Sequence, residues 1–465
     1  MNSRVMRRAR SSAMALAICC TFDLAAGAPV LELAPPPVLR WAAENRCAEP
    51  ASASLARLTL LDAAAHALCK SPLLGQALQL VNEQQAGVAL AQSAYRPRLS
   101  AGAELSANRI PSSDSSSGSQ RSSATASLGV SWVLYDSGAR DANLAQSRSL
   151  RDSAIAAGQT AALNALNEVL RLYGDAAGAA ARLEALRESE SVAKRSLQAA
   201  QAKHEALVGS LSERLQAQTA LAQAALDRVR GEGAWQTARG LLALSMGLAA
   251  DQALELAGAD DAFPPVDLPS ADAQWLAQAK AGHPRLRAAR AEVLALQDRL
   301  RAVQALDGPT VALGLGVAST RDLRAASGRL SPRLSGSVNA SIPLFNQSDQ
   351  NAREGQVLAQ IAAREAAFTQ VERDVEADLW RNARLLDTEA QNFESAQLLQ
   401  AAATQSHDIS FGRYKAGVGS ILELLATQNA LFAARFQLTQ AQLGLAQAKL
   451  RLAVAAGLTL NLPER

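Results

Sequence analysis

Aromatic residues are scarce in this 465-residue chain; Phe, Trp and Tyr together make up 4% of it. Ala, Leu, Gln, Ser and Arg dominate instead, a mix that favours long helices over a compact aromatic core. The formal net charge is only +3, with no basic block, which argues against nucleic acid as a partner. The four histidines, His66, His204, His283 and His407, are scattered without metal-ligand spacing. GxSxG, a P-loop and a catalytic cysteine arrangement are all missing. The sequence therefore offers no catalytic residues, no metal site and no cofactor site, and it reads as a non-enzyme. Beyond the first thirty residues no run of eighteen apolar residues occurs, so no spanning helix is expected. With 49% hydrophobic residues the chain still has ample material to bury, and its length suggests several domains.

The start of the chain is distinct. MNSRVMRRARSSAMALAICCTFDLAAGA carries four arginines, a short apolar run from Ala13 to Phe22, and small residues at Ala25, Ala26 and Ala28. This pattern predicts a secretory signal peptide over 1–26, cut after Ala26. LAIC at Leu16–Cys19 has the outline of a lipoprotein box, but Ile18 is large where a small residue is expected. Two cysteines remain after the signal, Cys47 and Cys69. In an exported chain such a pair predicts a disulfide, which would tie down an N-terminal arm over 27–57.

Most informative is a duplication. RYKAGVGSILELLATQNAL, Arg413–Leu431, nearly repeats AKHEALVGSLSERLQAQTAL, Ala202–Leu221. Leu134 in SWVLYD and Leu344 in SIPLFN lie 210 residues apart, as do Gly209 and Gly419. Pro72 and Pro284, and Pro97 and Pro309, lie 212 apart. The chain therefore reads as two tandem repeats, 58–250 and 272–457, with a linker over 251–271 and a tail over 458–465.

Each repeat follows one order. A helix ends before a proline, Pro97 or Pro309, and alternation of period two follows. In Leu334–Leu344 the set Leu334, Gly336, Val338, Ala340, Ile342, Leu344 alternates with Ser335, Ser337, Asn339, Ser341. Ala124, Ala126, Leu128, Val130 and Trp132 do the same in the first repeat. Such spacing predicts two β-hairpins, about 98–135 and 310–345, each strand apolar on one face and polar on the other. Long helical stretches come next. Gln347–Ile409 has Gly355 as its sole Gly or Pro, and Ile361, Phe368, Val371, Val375 and Leu379 form a helix seam. Leu424, Leu431, Leu438, Leu445 and Leu452 fall in strict sevens, a coiled-coil seam. In the first repeat Leu221 and Leu242 keep that register while Arg214 and Arg228 break it.

Strands with one apolar and one Ser/Gly face suit a barrel in lipid. Four strands cannot close one, since the smallest has about eight, and open edges are not tolerated in lipid. The chain is therefore expected to pool strands with copies of itself; three copies would supply twelve.

Taken together, the duplicated halves, the Pro-ended helix before each hairpin and the closing RYKAGVGSILELLATQNAL resemble the TolC-like outer-membrane factor family. The resemblance covers nearly all of the mature chain. It implies a mainly α fold with a small β part: a homotrimer sharing a 12-stranded outer-membrane barrel above a long periplasmic α-helical tunnel. It implies work beside a periplasmic adaptor (membrane fusion protein) and an inner-membrane pump. It maps Glu423 onto an acidic ring at the pore constriction, and Glu213 and Tyr414 onto a polar gate contact. The tips Val208, Gly209, Ser210 and Val418, Gly419, Ser420 become candidates for adaptor docking. Two departures stand out: Gly419 lies where an arginine would brace the gate, and Ala426 replaces a second acid, so fewer gate contacts are expected. The box-like LAIC and the cysteine pair resemble the protein-secretion branch, which includes the channel for an adenylate cyclase toxin, cyclolysin. That branch implies type I secretion of a protein beside an ABC transporter. Small-molecule efflux and a pore-less periplasmic coiled-coil scaffold are the alternatives.

Overall fold

The computed structural model describes residues 57–110, 119–207, 209–258, 263, 272–323, 330–345 and 347–457. The signal peptide, most of the N-terminal arm with Cys47, Val208 and the C-terminal tail lie outside the described residues. The elements come in two matching series. In the first repeat they are α1 (Leu60–Lys70), α2 (Pro72–Ser93), β1 (Arg98–Ile110), β2 (Ser119–Tyr135), α3 (Ala139–Glu205) and α4 (Leu211–Ser245). In the second they are α5 (Asp272–Gly282), α6 (Pro284–Ala305), β3 (Thr310–Asp322), β4 (Leu330–Ser341), α7 (Gln347–Lys415) and α8 (Ile421–Ala455).

Local chemistry sets the boundaries. Thr59 and Asp62 form a capping box at the start of α1: the Asp62 amide donates to Thr59 Oγ1 at 3.3 Å, and the Thr59 amide donates to the Asp62 carboxylate at 3.4 Å. Pro72 and Pro284 open α2 and α6, where a missing N–H costs no helical bond. The long helices α3 and α7 run for 67 and 69 residues. At 1.5 Å per residue each reaches about 100 Å.

The four strands form one antiparallel sheet in the order β1-β2-β3-β4, so the central β2–β3 pairing joins the two repeats. The register keeps the two faces chemically separate. Across one face run Leu99, Val130, Leu315 and Gly336, then Ala101, Leu128, Val317 and Leu334. Across the other run Ser100, Gly129, Gly316 and Ser335, then Glu104, Thr125, Thr320 and Ser331. Ser106 bonds Ser123 and Thr125 bonds Thr320 on this polar face. The apolar face is bare in the single chain: Leu99, Leu105 and Leu334 are 75%, 80% and 82% exposed. β1 and β4 are the sheet's two edges. β4 ends sooner than its alternation suggests. Ile342 and Leu344 lie beyond it, because its partner β3 starts at Thr310, opposite Ser341, and leaves no strand residue for them to pair with.

Helix packing follows the seams with instructive exceptions. Val375 and Leu379 of α7 are buried against Trp275, Ala279 and Leu286, with Phe368 and Val371 packed alongside. On α8, Leu424, Leu431 and Leu452 are buried, whereas Leu438 and Leu445 are half-buried and Leu443 and Leu450 take their place inside. The reason is that α8 packs on α3 as well as on α7, so one stripe cannot serve both neighbours. In the first repeat the seam is broken by an ion pair, Arg228 Nε to Glu190 on α3 at 2.7 Å. The largest core joins α1, α3, α4 and the end of α8 around Tyr173, whose hydroxyl donates to the Leu58 carbonyl at 2.9 Å. Leu58 also bridges Leu256, so the linker is stitched to the start of the first repeat.

Candidate functional site

The two turns that end the long helices, α3–α4 and α7–α8, carry the residues singled out in the sequence. They are built alike. Gly209 N–H donates to the Lys203 carbonyl at 2.9 Å, and Gly419 N–H to the Arg413 carbonyl at 3.0 Å. A Cβ at Gly419 would lie 2.8 Å from the Tyr414 amide nitrogen, and one at Gly209 would lie 2.9 Å from Lys203 Cβ. Close approach, then, is what demands glycine at these two positions. Ser210 and Ser420 cap the following helices, accepting from the amides of Glu213 and Leu422, each at 3.1 Å. The left-handed residue is Leu207 in the first turn (φ 62°) and Gly417 in the second (φ 82°), again 210 apart. Leu207, Val418 and Leu422 present bare apolar side chains, Leu207 being 92% exposed.

Electrostatics concentrate on the second tip. Arg413 bonds Glu423 across the hairpin, Nη1 to Oε1, at 3.0 Å with both groups partly open to water. Tyr414 is buried with Ile421 and Leu424. Its hydroxyl finds no hydrogen-bond partner, and its pKa is pushed up, first by burial and then by the negative charge of Glu213. Glu213 and Tyr414 are thus brought near each other, but the hydroxyl-to-carboxylate bond expected between them is not formed. Lys203 holds Tyr414 instead. Its ammonium donates to the Tyr414 carbonyl at 2.8 Å and sits 3.7 Å from the ring centre. Sequence reasoning missed both Arg413 and Lys203. For Arg413 a signal was present, since it stands ten residues before Glu423, which an antiparallel turn brings opposite; Lys203 and Tyr414 lie 211 residues apart, and no spacing announces them. Arg413 supplies from within the hairpin a contact that Gly419 cannot make. Cys69 is disulfide-bonded. Among the described residues no cluster of His, Cys, Asp or Glu could hold a metal, and no helix is long and apolar enough to cross a membrane.

The sequence matches the outer membrane efflux protein family over residues 63–248 and 275–458, one span in each repeat. The chain belongs to this family. It is an outer-membrane channel protein, which removes the pore-less scaffold from consideration, and channels of this family are not enzymes. Protein CyaE of Bordetella pertussis is 32% identical over 441 residues, covering 93% of this chain and 92% of its own length. The fold resembles solved outer membrane proteins at much lower identity. The outer membrane protein VceC of Vibrio cholerae superposes with a TM-score of 0.72 at 17% identity, covering 86% of this chain and 96% of VceC. The Campylobacter jejuni CmeC outer membrane channel gives 0.73 at 16% identity, covering 86% and 85%. The efflux-family fold therefore accounts for both the duplicated series of elements and the single shared sheet.

Proposed function

We propose that three copies of this chain share one 12-stranded barrel in the outer membrane and continue it as an α-helical tunnel, forming the exit conduit of a tripartite export system. The observation that carries this reading is the four-stranded sheet with its two edges, bare apolar face and Ser/Gly face. In lipid the apolar face meets acyl chains, the polar face lines water, and the β1 and β4 edges must pair with other copies. The tips Val208, Gly209, Ser210 and Val418, Gly419, Ser420 dock a periplasmic adaptor; Val208 lies outside the described residues. An inner-membrane ABC transporter supplies the energy, since the sequence carries no P-loop motif of its own. The cargo is a protein secreted by the type I route. The near-full-length likeness to Protein CyaE supports this branch over small-molecule efflux.

Within the conduit Glu423 forms the acidic ring at the constriction, and Arg413 neutralises part of its charge. Three carboxylates about one axis attract cations and repel each other, so they set both selectivity and closure. Conductance in planar bilayers tests this. The wild type conducts with cation block, and Glu423→Ala passes more current with weaker block. Unchanged conductance and block would remove Glu423 from the constriction. Deleting the gene and following a large secreted protein and a drug separates the two cargoes.

A further inference from the structure

The aromatics of the sheet gather at one end. Among the described strand residues Trp132 and Tyr135 are the only two, and both lie where β2 runs into α3. All four strands join helices at this end. Strict alternation would put Tyr135 on the polar face with Val133, which pairs with Ala312 and, through it, lies in line with Asn339. A β-bulge between Val133 and Tyr135 prevents this. Tyr135 pairs with Val311 and so shares the apolar face with Trp132, which pairs with Leu313. Two side chains hold the region in place. Arg140 donates to the Val133 carbonyl at 2.7 Å and to the Leu134 carbonyl at 3.3 Å, and Trp132 Nε1 donates to the Tyr95 carbonyl at 2.9 Å. The duplication repeats the theme: Phe345 lies 210 residues after Tyr135, the offset that also separates Gly209 from Gly419. Tyr135 is exposed, and Phe345 is 99% exposed.

The other end of the same face closes on a charge. Along β3 the apolar face runs Val311, Leu313, Leu315, Val317, Ser319 and then Arg321, which pairs with Ala124 and Leu330 and is exposed. Ten residues at about 3.3 Å each, tilted by about 40°, rise about 25 Å, the height of the apolar band on a membrane barrel. We propose that Trp132, Tyr135 and Phe345 form a one-sided aromatic collar seated among the phospholipid headgroups of the periplasmic leaflet, and that Arg321 meets lipid phosphate at the opposite boundary. Rings with an apolar body and a polar tip favour that interface, and a guanidinium pairs with phosphate. The bulge thereby sets how deep the barrel sits, by turning Tyr135 from water to lipid. The inference rests on the barrel reading above.

The test uses full-length oligomers in phosphatidylcholine vesicles whose acyl chains carry bromine either near the headgroup or near the chain end. Bromine quenches a tryptophan it touches, and heat-modifiable oligomers confirm that each variant folds. The wild type is compared with Trp132→Phe, and Tyr135→Trp, Val133→Trp, Leu315→Trp and Arg321→Trp are each added to that parent. The wild type should lose more fluorescence to shallow bromine than the parent does. Tyr135→Trp and Arg321→Trp should lose most to shallow bromine and Leu315→Trp most to deep bromine. Val133→Trp should respond to neither and be quenched by acrylamide from the water side. A Leu315→Trp that no brominated lipid quenches overturns the barrel reading. With Leu315→Trp quenched, a Tyr135→Trp that escapes bromine, or loses most to deep bromine, overturns the collar alone. So does a Val133→Trp quenched like Tyr135→Trp, since the bulge would then not separate the two. An Arg321→Trp quenched mainly by deep bromine overturns the outer boundary.

Discussion

At the scale of single residues, the duplication works as an internal control. Gly417 and Leu207 occupy the same left-handed position, and one repeat tolerates a leucine there. Nothing lies within 4 Å of a Cβ placed on Gly417. Gly419 is different, since its added Cβ would meet backbone atoms of Tyr414 and Arg413 at 2.8 and 3.0 Å. A large substitution should therefore be milder than a small one. Gly417→Leu should cost about 1–2 kcal/mol, the usual penalty for a side chain in the left-handed region. Gly419→Ala should cost more, because the turn itself must move. Oligomer yield in outer membranes checks this, and an equal or better yield from Gly419→Ala would contradict it. The glycines and glutamates of the tips were legible as repeated letters. Their partners were not, because Arg413 meets Glu423 only when the turn folds back, and Lys203 meets Tyr414 only when the two hairpins pack together.

At the scale of elements, α6 carries a pH-sensitive cap. His283 Nδ1 accepts from the Arg285 amide at 3.2 Å, so the ring caps the helix only when that nitrogen is unprotonated. Burial, and then the Arg285 charge, lower the His283 pKa below its ordinary value of 6.5, while Asp378 opposes them. The unfolded chain thus takes up a proton below about pH 6.5 that the folded cap refuses. Stability should be full above that pH and fall as acidity increases, until the folded group itself titrates. The first repeat has Ser71 at the equivalent place before Pro72. His283→Ser should therefore flatten the slope of denaturation midpoint against pH between 7 and 5. It should not abolish it, because His66 is also lowered by burial. An unaltered slope would contradict the cap argument. Strands and long helices were the most legible part of the sequence, since period two and period seven are direct images of one-sided burial. The leucine sevens of α8 misled in their middle, where α3 and α7 compete for the same helix. The first-repeat seam looked weak because Arg228 and Glu190 replace apolar contact there by an ion pair.

At the scale of the whole molecule, one physical fact organises the rest: β1 and β4 are strand edges that water can satisfy and lipid cannot. The efflux-family fold explains how a chain with no spanning helix among its described residues can belong to the outer membrane. Tandem duplication explains how two hairpins of one chain come to lie side by side through β2 and β3. The family itself was readable in advance, because the matching tips and alternating strands survive in the letters. The proposed number of copies rests on the family resemblance and on counting strands against what closes a barrel. Mass measurement of the detergent-extracted particle by native mass spectrometry tests that count most directly. The account predicts a particle of three chains, and a homogeneous population of single chains would contradict it.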